Sequence, residues 1–214
     1  MNFKYPISLN LEKKNVTVVG GGKVALRKVK TLLSCGAIVK IISPQIIEGL
    51  KELKVTHNLL WISDYHQEHY LEQSFLVIAA TNNREINHKI STYCRENNIL
   101  VNVIDSTEDS DFIVNSSFCQ GDLMIAVSTN GQSPLLASKI KKDLAKTYGP
   151  EYQDLLDLLG KARALAKERI PQEEKRRDFL IELLRTDELL QIIKAENKEA
   201  AMKKVMECLL LYWE

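Results

Sequence analysis

Three consecutive glycines, Gly20, Gly21 and Gly22, stand between an apolar, β-branched run (Val16–Val19) and an amphipathic run from Lys23 to Cys35. Their spacing reads Gly20-x-Gly22-x-x-Ala25. Between a strand and a helix these residue types have separate uses. Gly20 can make the tight turn, Gly22 lets a ligand approach the backbone, and Ala25 is the small residue where helix packs on strand. Backbone N–H groups and the positive end of a helix then meet at the tip of a buried strand, a place suited to a pyrophosphate. Gly20, Gly21, Gly22, Lys23 and Val24 are the candidates for these contacts. A tight strand-to-helix turn that binds nothing has the same outline.

A second candidate is Asp105, which ends the apolar run Ile99–Ile104. A residue at the carboxyl end of a parallel strand projects into the crevice where ligands of such sheets bind. A carboxylate partly desolvated there favours proton uptake, as a general base requires. Aspartates in this position also simply cap the following loop. His66 and His69 form an HxxH pair in the polar stretch Asp64–Glu72, but no third metal ligand accompanies them. A solvated helix or loop explains them as well, and His57 and His88 have no evident partners.

The elements that must position these residues follow from periodicity. Val16–Val19 reads as a first strand and Lys23–Cys35 as a helix with Val24, Ala25, Val29, Leu32 and Leu33 inward. Ile38–Ile42 is a second strand, Ile46–Leu53 a short helix and Leu59–Ile62 a third strand. The uninterrupted apolar run Phe75–Ala80 suits a strand buried on both faces. Thr81-Asn82-Asn83 then caps a helix to about Glu96, and Ile99–Ile104 is the next strand. Alternating strands and helices argue for a doubly wound parallel sheet. After Asp105 the pattern changes. Phe112–Phe118 and Leu123–Ser128 read as a hairpin turning at Cys119–Asp122, and Leu135–Tyr148 as a helix. From Glu151 onward the chain reads as helix only. Its apolar faces are Leu155, Leu156, Leu158, Leu159 and Ala162, then Phe179, Leu180, Leu183 and Leu184, then Val205, Cys208, Leu209 and Tyr212.

Composition excludes several classes. With 45% hydrophobic residues in 214 the chain can build a core, so disorder is not expected. A net charge of +1 gives no global attraction to nucleic acid or membrane, so an anionic ligand needs a local patch. No apolar run reaches membrane-spanning length and no signal peptide is visible, which points to the cytoplasm. Cys35, Cys94, Cys119 and Cys208 are scattered, which predicts reduced, mostly buried thiols.

Several pieces together resemble one family, the precorrin-2 dehydrogenases of the siroheme-synthase type. They are Val18–Lys28, Leu32-Leu33 with Gly36-Ala37, Ser43-Pro44, Val77–Asn82, Val101–Asp105, Asp111–Ile113 and Ile125–Pro134. The resemblance covers roughly residues 5–145, and the remaining helices match only in being helical. It implies NAD-linked oxidation of precorrin-2 to sirohydrochlorin by a homodimer, with Asp105 as the catalytic aspartate; from the residues themselves no resident metal is expected. Ser43, Pro44 and Gln45 stand where such a sheet binds the cofactor ribose, and no acidic residue does. Thr81 joins them as a cofactor contact. A substrate with many carboxylates needs cations and hydroxyls. Ser128, Thr129, Ser133 and Lys139 are the candidates, with Arg27, Lys28, Lys141 and Lys142 also considered. Turn stabilisation and solvated helix surface are their other uses. Asn115 and Asn82 stand where the family often has proline and an acidic residue. The expected architecture is α/β: a Rossmann-type parallel-sheet domain (1–111), a small α+β block for dimerisation and the active site (112–149), and a C-terminal helical domain (150–214). A bifunctional enzyme that also inserts Fe(II) into sirohydrochlorin is an alternative, with Asp105 or His88 as base. A non-catalytic NAD-sensing module is another.

Overall fold

The computed structural model describes residues 4–57 and 59–213 and divides into two compact units, Met1–Val114 and Asn115–Glu214. The first unit runs β1 (Asn15–Val19), α1 (Lys23–Ser34), β2 (Ile38–Ile42), α2 (Glu48–His57), β3 (Leu60–Ile62), a 3₁₀ turn (Glu68–Leu71), β4 (Leu76–Ala79), α3 (Arg84–Glu96) and β5 (Leu100–Val103). All five strands are parallel, in the order β3-β2-β1-β4-β5. The chain therefore reverses its direction of winding between β1 and β4. In such sheets ligands bind outside the carboxyl ends of the strands at that reversal.

Side chains alternate across the sheet with the period of two that a strand imposes. Val16 and Val18 of β1 and Leu76 and Ile78 of β4 pack with Ala25, Val29 and Leu32 of α1 and Leu50 of α2. Val19, Val77 and Ala79 face the opposite way, against Ile90 and Cys94 of α3 and Leu71 of the 3₁₀ turn. Helices thus cover both faces, which explains why β4 is apolar throughout. Buried Thr17 of β1 is satisfied by a 2.7 Å hydroxyl hydrogen bond with Ser74, which stands just before β4.

The second unit begins with the antiparallel hairpin β6 (Ser116–Gln120) and β7 (Leu123–Val127), followed by α4 (Pro134–Thr147). The first hairpin strand starts later than its apolar sequence suggests. Phe112 packs against the core of the first unit, and its carbonyl accepts from Asn102 Nδ2 at 2.9 Å. Tertiary contacts thus draw Phe112 to the parallel sheet. The turn is only Gly121-Asp122, so Cys119 and Gln120 belong to the strand.

Four helices follow: α5 (Glu151–Arg169), α6 (Glu173–Leu184), α7 (Glu188–Lys194) and α8 (Lys198–Leu210). Their core contains Leu155, Leu158, Ala162, Ala166, Phe179, Leu183, Leu189, Ile193, Val205, Cys208 and Leu209. Leu156 and Leu184 are exposed rather than inward, because each neighbours a buried leucine and points about 100° away from it around the helix. Cys94 and Cys208 are buried, whereas Cys35 and Cys119 are exposed, contrary to the expectation that the thiols are mostly buried. No described helix is long and apolar enough to cross a membrane.

Candidate active site

The glycine loop leaves β1 at the point of reversal. Gly20 has φ +124°, a conformation that costs little only without a side chain, and its N–H donates to Ile42 O at 2.9 Å. A β-carbon there would collide with the Ala80 carbonyl at the end of β4. At Gly21 it would collide with the Gln45 carbonyl. At Gly22 it would meet no protein atom within 4 Å. Two glycines therefore let the strand ends close on one another, and the third keeps space clear.

Gly22 is also the N-cap of α1. It offers no capping side chain, and the first turn of α1 holds no acidic residue. The amides of Lys23, Val24 and Ala25 have no intrahelical acceptor at this end. Every other described α-helix carries a capping side chain or an acid in its first turn. Asn83, Ser133 and Asn197 cap α3, α4 and α8, while Glu48, Glu151, Glu173 and Glu188 lie at the starts of α2, α5, α6 and α7. The α1 end is thus arranged for an external anion, as a dinucleotide diphosphate requires.

Ser43, Pro44 and Gln45 lie beside this loop, where Ile47 N donates to Gly21 O at 3.0 Å. Ser43 Oγ donates to Gln45 O at 2.7 Å, and the Ser43 carbonyl accepts from Trp61 Nε1 at 2.9 Å. Ser43 therefore shapes the loop, while Pro44 and Gln45 are exposed beside it. The stretch 43–47 contains neither an acid for a ribose 2′-hydroxyl nor a cation for a 2′-phosphate.

Thr81, at the end of β4, is held by a residue the sequence reading missed. Buried Asn87 accepts from Thr81 N (3.3 Å) and Thr81 Oγ1 (2.7 Å) and donates from Nδ2 to Thr81 O (3.2 Å). An asparagine on the inward face of a helix that starts beside a strand tip is the only sequence signal for this.

Asp105 lies two residues beyond β5, exposed on the rim of a cavity of about 170 Å³ lined with Arg84, Asn87, Val103, Ser106 and Asp109. The 105–111 loop is fastened to α3 and β5. Ser91 Oγ donates to Asp109 O (2.6 Å), Arg95 Nη2 to Glu108 O (2.7 Å), and Arg95 Nε to Asp111 Oδ1 (3.2 Å). Asp111 Oδ2 accepts from Val101 N at 3.0 Å, and Ser110 Oγ accepts from Val103 N at 2.9 Å. His88 does have a partner: its Nδ1 lies 2.8 Å from Asp109 Oδ1. Hydrogen bonds from His88 and then Ser106 hold the Asp109 carboxyl below its usual value. Asp105 thus stands on a fixed loop at the same edge of the sheet as the glycines and Thr81.

The substrate candidates Ser128, Thr129, Ser133 and Lys139 belong to the second unit. Ser128, Thr129 and Ser133 form the turn between β7 and α4. Their hydroxyl oxygens accept from Asn130 N (3.2 Å), Ser133 N (3.1 Å) and Leu136 N (3.3 Å). Lys139 is exposed on α4. On α1, Arg27 is exposed and Lys28 half-buried, its pKa lowered first by burial and then by Arg27. His66 Nδ1 is buried without a hydrogen-bond partner, its pKa lowered by that burial, and the His69 ring lies against Tyr70. Among the described residues no three His, Cys, Asp or Glu side chains gather in a metal-binding group.

The chain is similar to known proteins along most of its length. Residues 7–116 match a family described as NAD(P)-binding, residues 120–147 the central region of sirohaem biosynthesis proteins, and residues 151–209 the sirohaem synthase dimerisation region. A precorrin-2 dehydrogenase of Methanosarcina barkeri is 32% identical over 189 residues, spanning 85% of this chain and 83% of its own. The chain belongs to the siroheme synthase and precorrin-2 dehydrogenase family. A siroheme synthase of Photorhabdus laumondii is 33% identical over 174 residues, 81% of this chain but 37% of that protein. The chain therefore spans about two fifths of the siroheme synthases it matches. The solved structure of SirC, a precorrin-2 dehydrogenase, superposes with a TM-score of 0.78 at 26% identity, covering 95% of this chain and all of SirC.

Proposed function

We propose that this chain is a cytoplasmic, homodimeric, NAD-dependent precorrin-2 dehydrogenase that forms sirohydrochlorin. The observation that supports it best is the pairing, on one sheet edge, of an uncapped helix end behind Gly22 with a carboxylate, Asp105, on the rim of a cavity. The amides of Lys23 and Val24 would hold the diphosphate, with Gly20, Gly21, Ser43, Pro44, Gln45 and Thr81 shaping the walls around NAD. When bound, NAD supplies the acceptor for one hydride. Removing two hydrogens from the tetrapyrrole as a hydride and a proton leaves the proton to be accounted for. Asp105 takes it, standing at the strand end where such a base reaches a ligand. Its loop, pinned by Ser91, Arg95 and Ser110, keeps the carboxylate in place without reorganisation during the reaction. Ser128, Thr129, Ser133 and Lys139 supply hydroxyls and a cation for substrate carboxylates. Residues 1–111 form the NAD-binding domain and carry Asp105, 112–149 serve the substrate and subunit pairing, and 150–214 form a helical domain. Incubation with precorrin-2 and NAD, followed by absorbance at the NADH band and in the visible, tests this; no NADH and no new chromophore refutes it.

Relatives named siroheme synthase favour a second activity, insertion of ferrous iron as a substrate. His88 is already paired with Asp109, so Asp105 is the base offered for the pyrrole protons. Anaerobic assay of sirohydrochlorin with Fe(II) and no NAD separates this activity from the first.

A further inference from the structure

Two depressions meet on the surface of the first unit, and Arg84 and Asp109 line both. One is the cavity of about 170 Å³ beside Asp105; the other, of about 440 Å³, is lined by Arg84, Glu85, His88, Lys89 and Asp109. A whole small-molecule site usually needs about 300–1,000 Å³. The cavity beside Asp105 is therefore too small for a macrocycle and suits one of its arms. Its walls carry two carboxylates, Asp105 and Asp109, which repel an anionic arm. Arg84 is the cation among the residues that line the cavity. Among the described residues two neighbouring basic side chains of α3 are engaged, His88 by Asp109 and Arg95 by Asp111 and the Glu108 carbonyl. Arg84 and Lys89 make no side-chain hydrogen bond or ion pair with another described residue. The amides at the start of α3 are not free to serve instead, because Asn83 Oδ1 already accepts from Glu85 N and Ile86 N.

We infer that Arg84, assisted by Lys89, binds a carboxylate arm of the tetrapyrrole and so sets which part of the macrocycle lies over Asp105. This rests on the precorrin-2 reading and names a contact for it on the first unit. Guanidinium and carboxylate match as a planar, two-point pair, whereas a lysine offers only a point charge. Arg84 is a binding residue here; the proton is handled by Asp105.

Steady-state kinetics of Arg84→Gln, Arg84→Lys and Lys89→Gln with precorrin-2 test the inference, together with the Kd of sirohydrochlorin from fluorescence quenching and the Kd of NAD. The exposed position of Arg84 lets the variants fold, which thermal unfolding checks. Arg84→Gln should raise KM and the sirohydrochlorin Kd about 10- to 100-fold, as for loss of a charged hydrogen-bonded pair. Arg84→Lys should recover part of this, and Lys89→Gln should lose less. The change should fall on KM far more than on kcat, and the variant should lose part of the parent's salt dependence of KM. An unchanged sirohydrochlorin Kd overturns the inference. So does a loss confined to NAD, which would place Arg84 in the cofactor site. A parent enzyme that binds NAD yet does not oxidise precorrin-2 refutes the dehydrogenase reading instead, while the sirohydrochlorin Kd still decides the role of Arg84.

Discussion

Gly20 and Gly22 are two positions apart, yet substitution by alanine should damage different properties. In Gly20→Ala the alanine must adopt φ +124°, and its β-carbon meets the Ala80 carbonyl group, whose carbon would be 2.7 Å away. Unfavourable backbone conformation costs about 1–3 kcal/mol. Forcing an atom into close-packed backbone adds about 1–3 kcal/mol. The sum is roughly 2–6 kcal/mol, which for a unit of this size corresponds to a Tm lower by roughly 10 °C or more. In Gly22→Ala the backbone is at φ −93°, ψ −170°, open to any residue, and the β-carbon meets nothing within 4 Å. Its stability should change by less than about 1 kcal/mol. The methyl group instead projects where the diphosphate must approach, at a cost of about 1–3 kcal/mol, or about 5- to 150-fold in NAD affinity. Thermal unfolding without ligand and a fluorescence titration with NAD read the two effects separately. A Gly22→Ala protein that melts as early as Gly20→Ala, or that binds NAD within twofold of the parent, refutes the assignment of this loop.

Asp105→Asn should lower turnover of precorrin-2 by about 10²–10⁴-fold, the usual worth of a general base, while NAD affinity stays put; near-normal turnover at saturating NAD excludes the base role. The lowered pKa of Asp109 makes a pH-dependent contribution to stability. That contribution is complete above the ordinary carboxyl value of about 3.9 and disappears as the pH falls through the lower folded value. Denaturant unfolding between pH 5 and 3 should therefore fall more steeply for the parent than for Asp109→Asn, and parallel profiles would contradict the assignment. Burial pushes the Cys94 thiol up to about 12 and also raises Cys208, whereas Cys35 and Cys119 are exposed. A thiol reagent at pH 8 should modify two cysteines in the native protein and four after denaturation; prompt native labelling of Cys94 would show that its helix does not pack as described.

The local features of the fold were legible because their causes are local. A β-branched run, a glycine turn and an amphipathic run specify β1, the loop and α1 within 20 residues, and Asn83 announces the start of α3 by accepting hydrogen bonds from amides two and three residues on. Asp105 was legible as a catalytic candidate from its place at the end of an apolar run, and family resemblance pointed to the same residue. The interior of the helical region was legible only by type. Runs such as Leu155-Leu156 show that a helix is amphipathic, but packing against the other helices decides which leucine is covered.

Pairs distant in the chain were not legible. His88 with Asp109, Arg95 with Asp111, Ser91 with the Asp109 carbonyl and Asn87 with Thr81 fasten the site, and all but the last join residues at least 16 positions apart. The same holds for Phe112, which extends an apolar run but packs on the parallel sheet instead of pairing in the hairpin. By itself the amino-acid order determined the strands, the glycine turn and the helix caps around the parallel sheet, since hydrophobic period and glycine conformation act over a few residues, whereas the bounds of the hairpin did not follow from it. Only the tertiary structure decided that β4 lies beside β1, so that Gly20 meets Ala80 and Asp105 shares an edge with the open helix end. That decision belongs to sheet pairing and core burial, which bring together residues that no local rule relates.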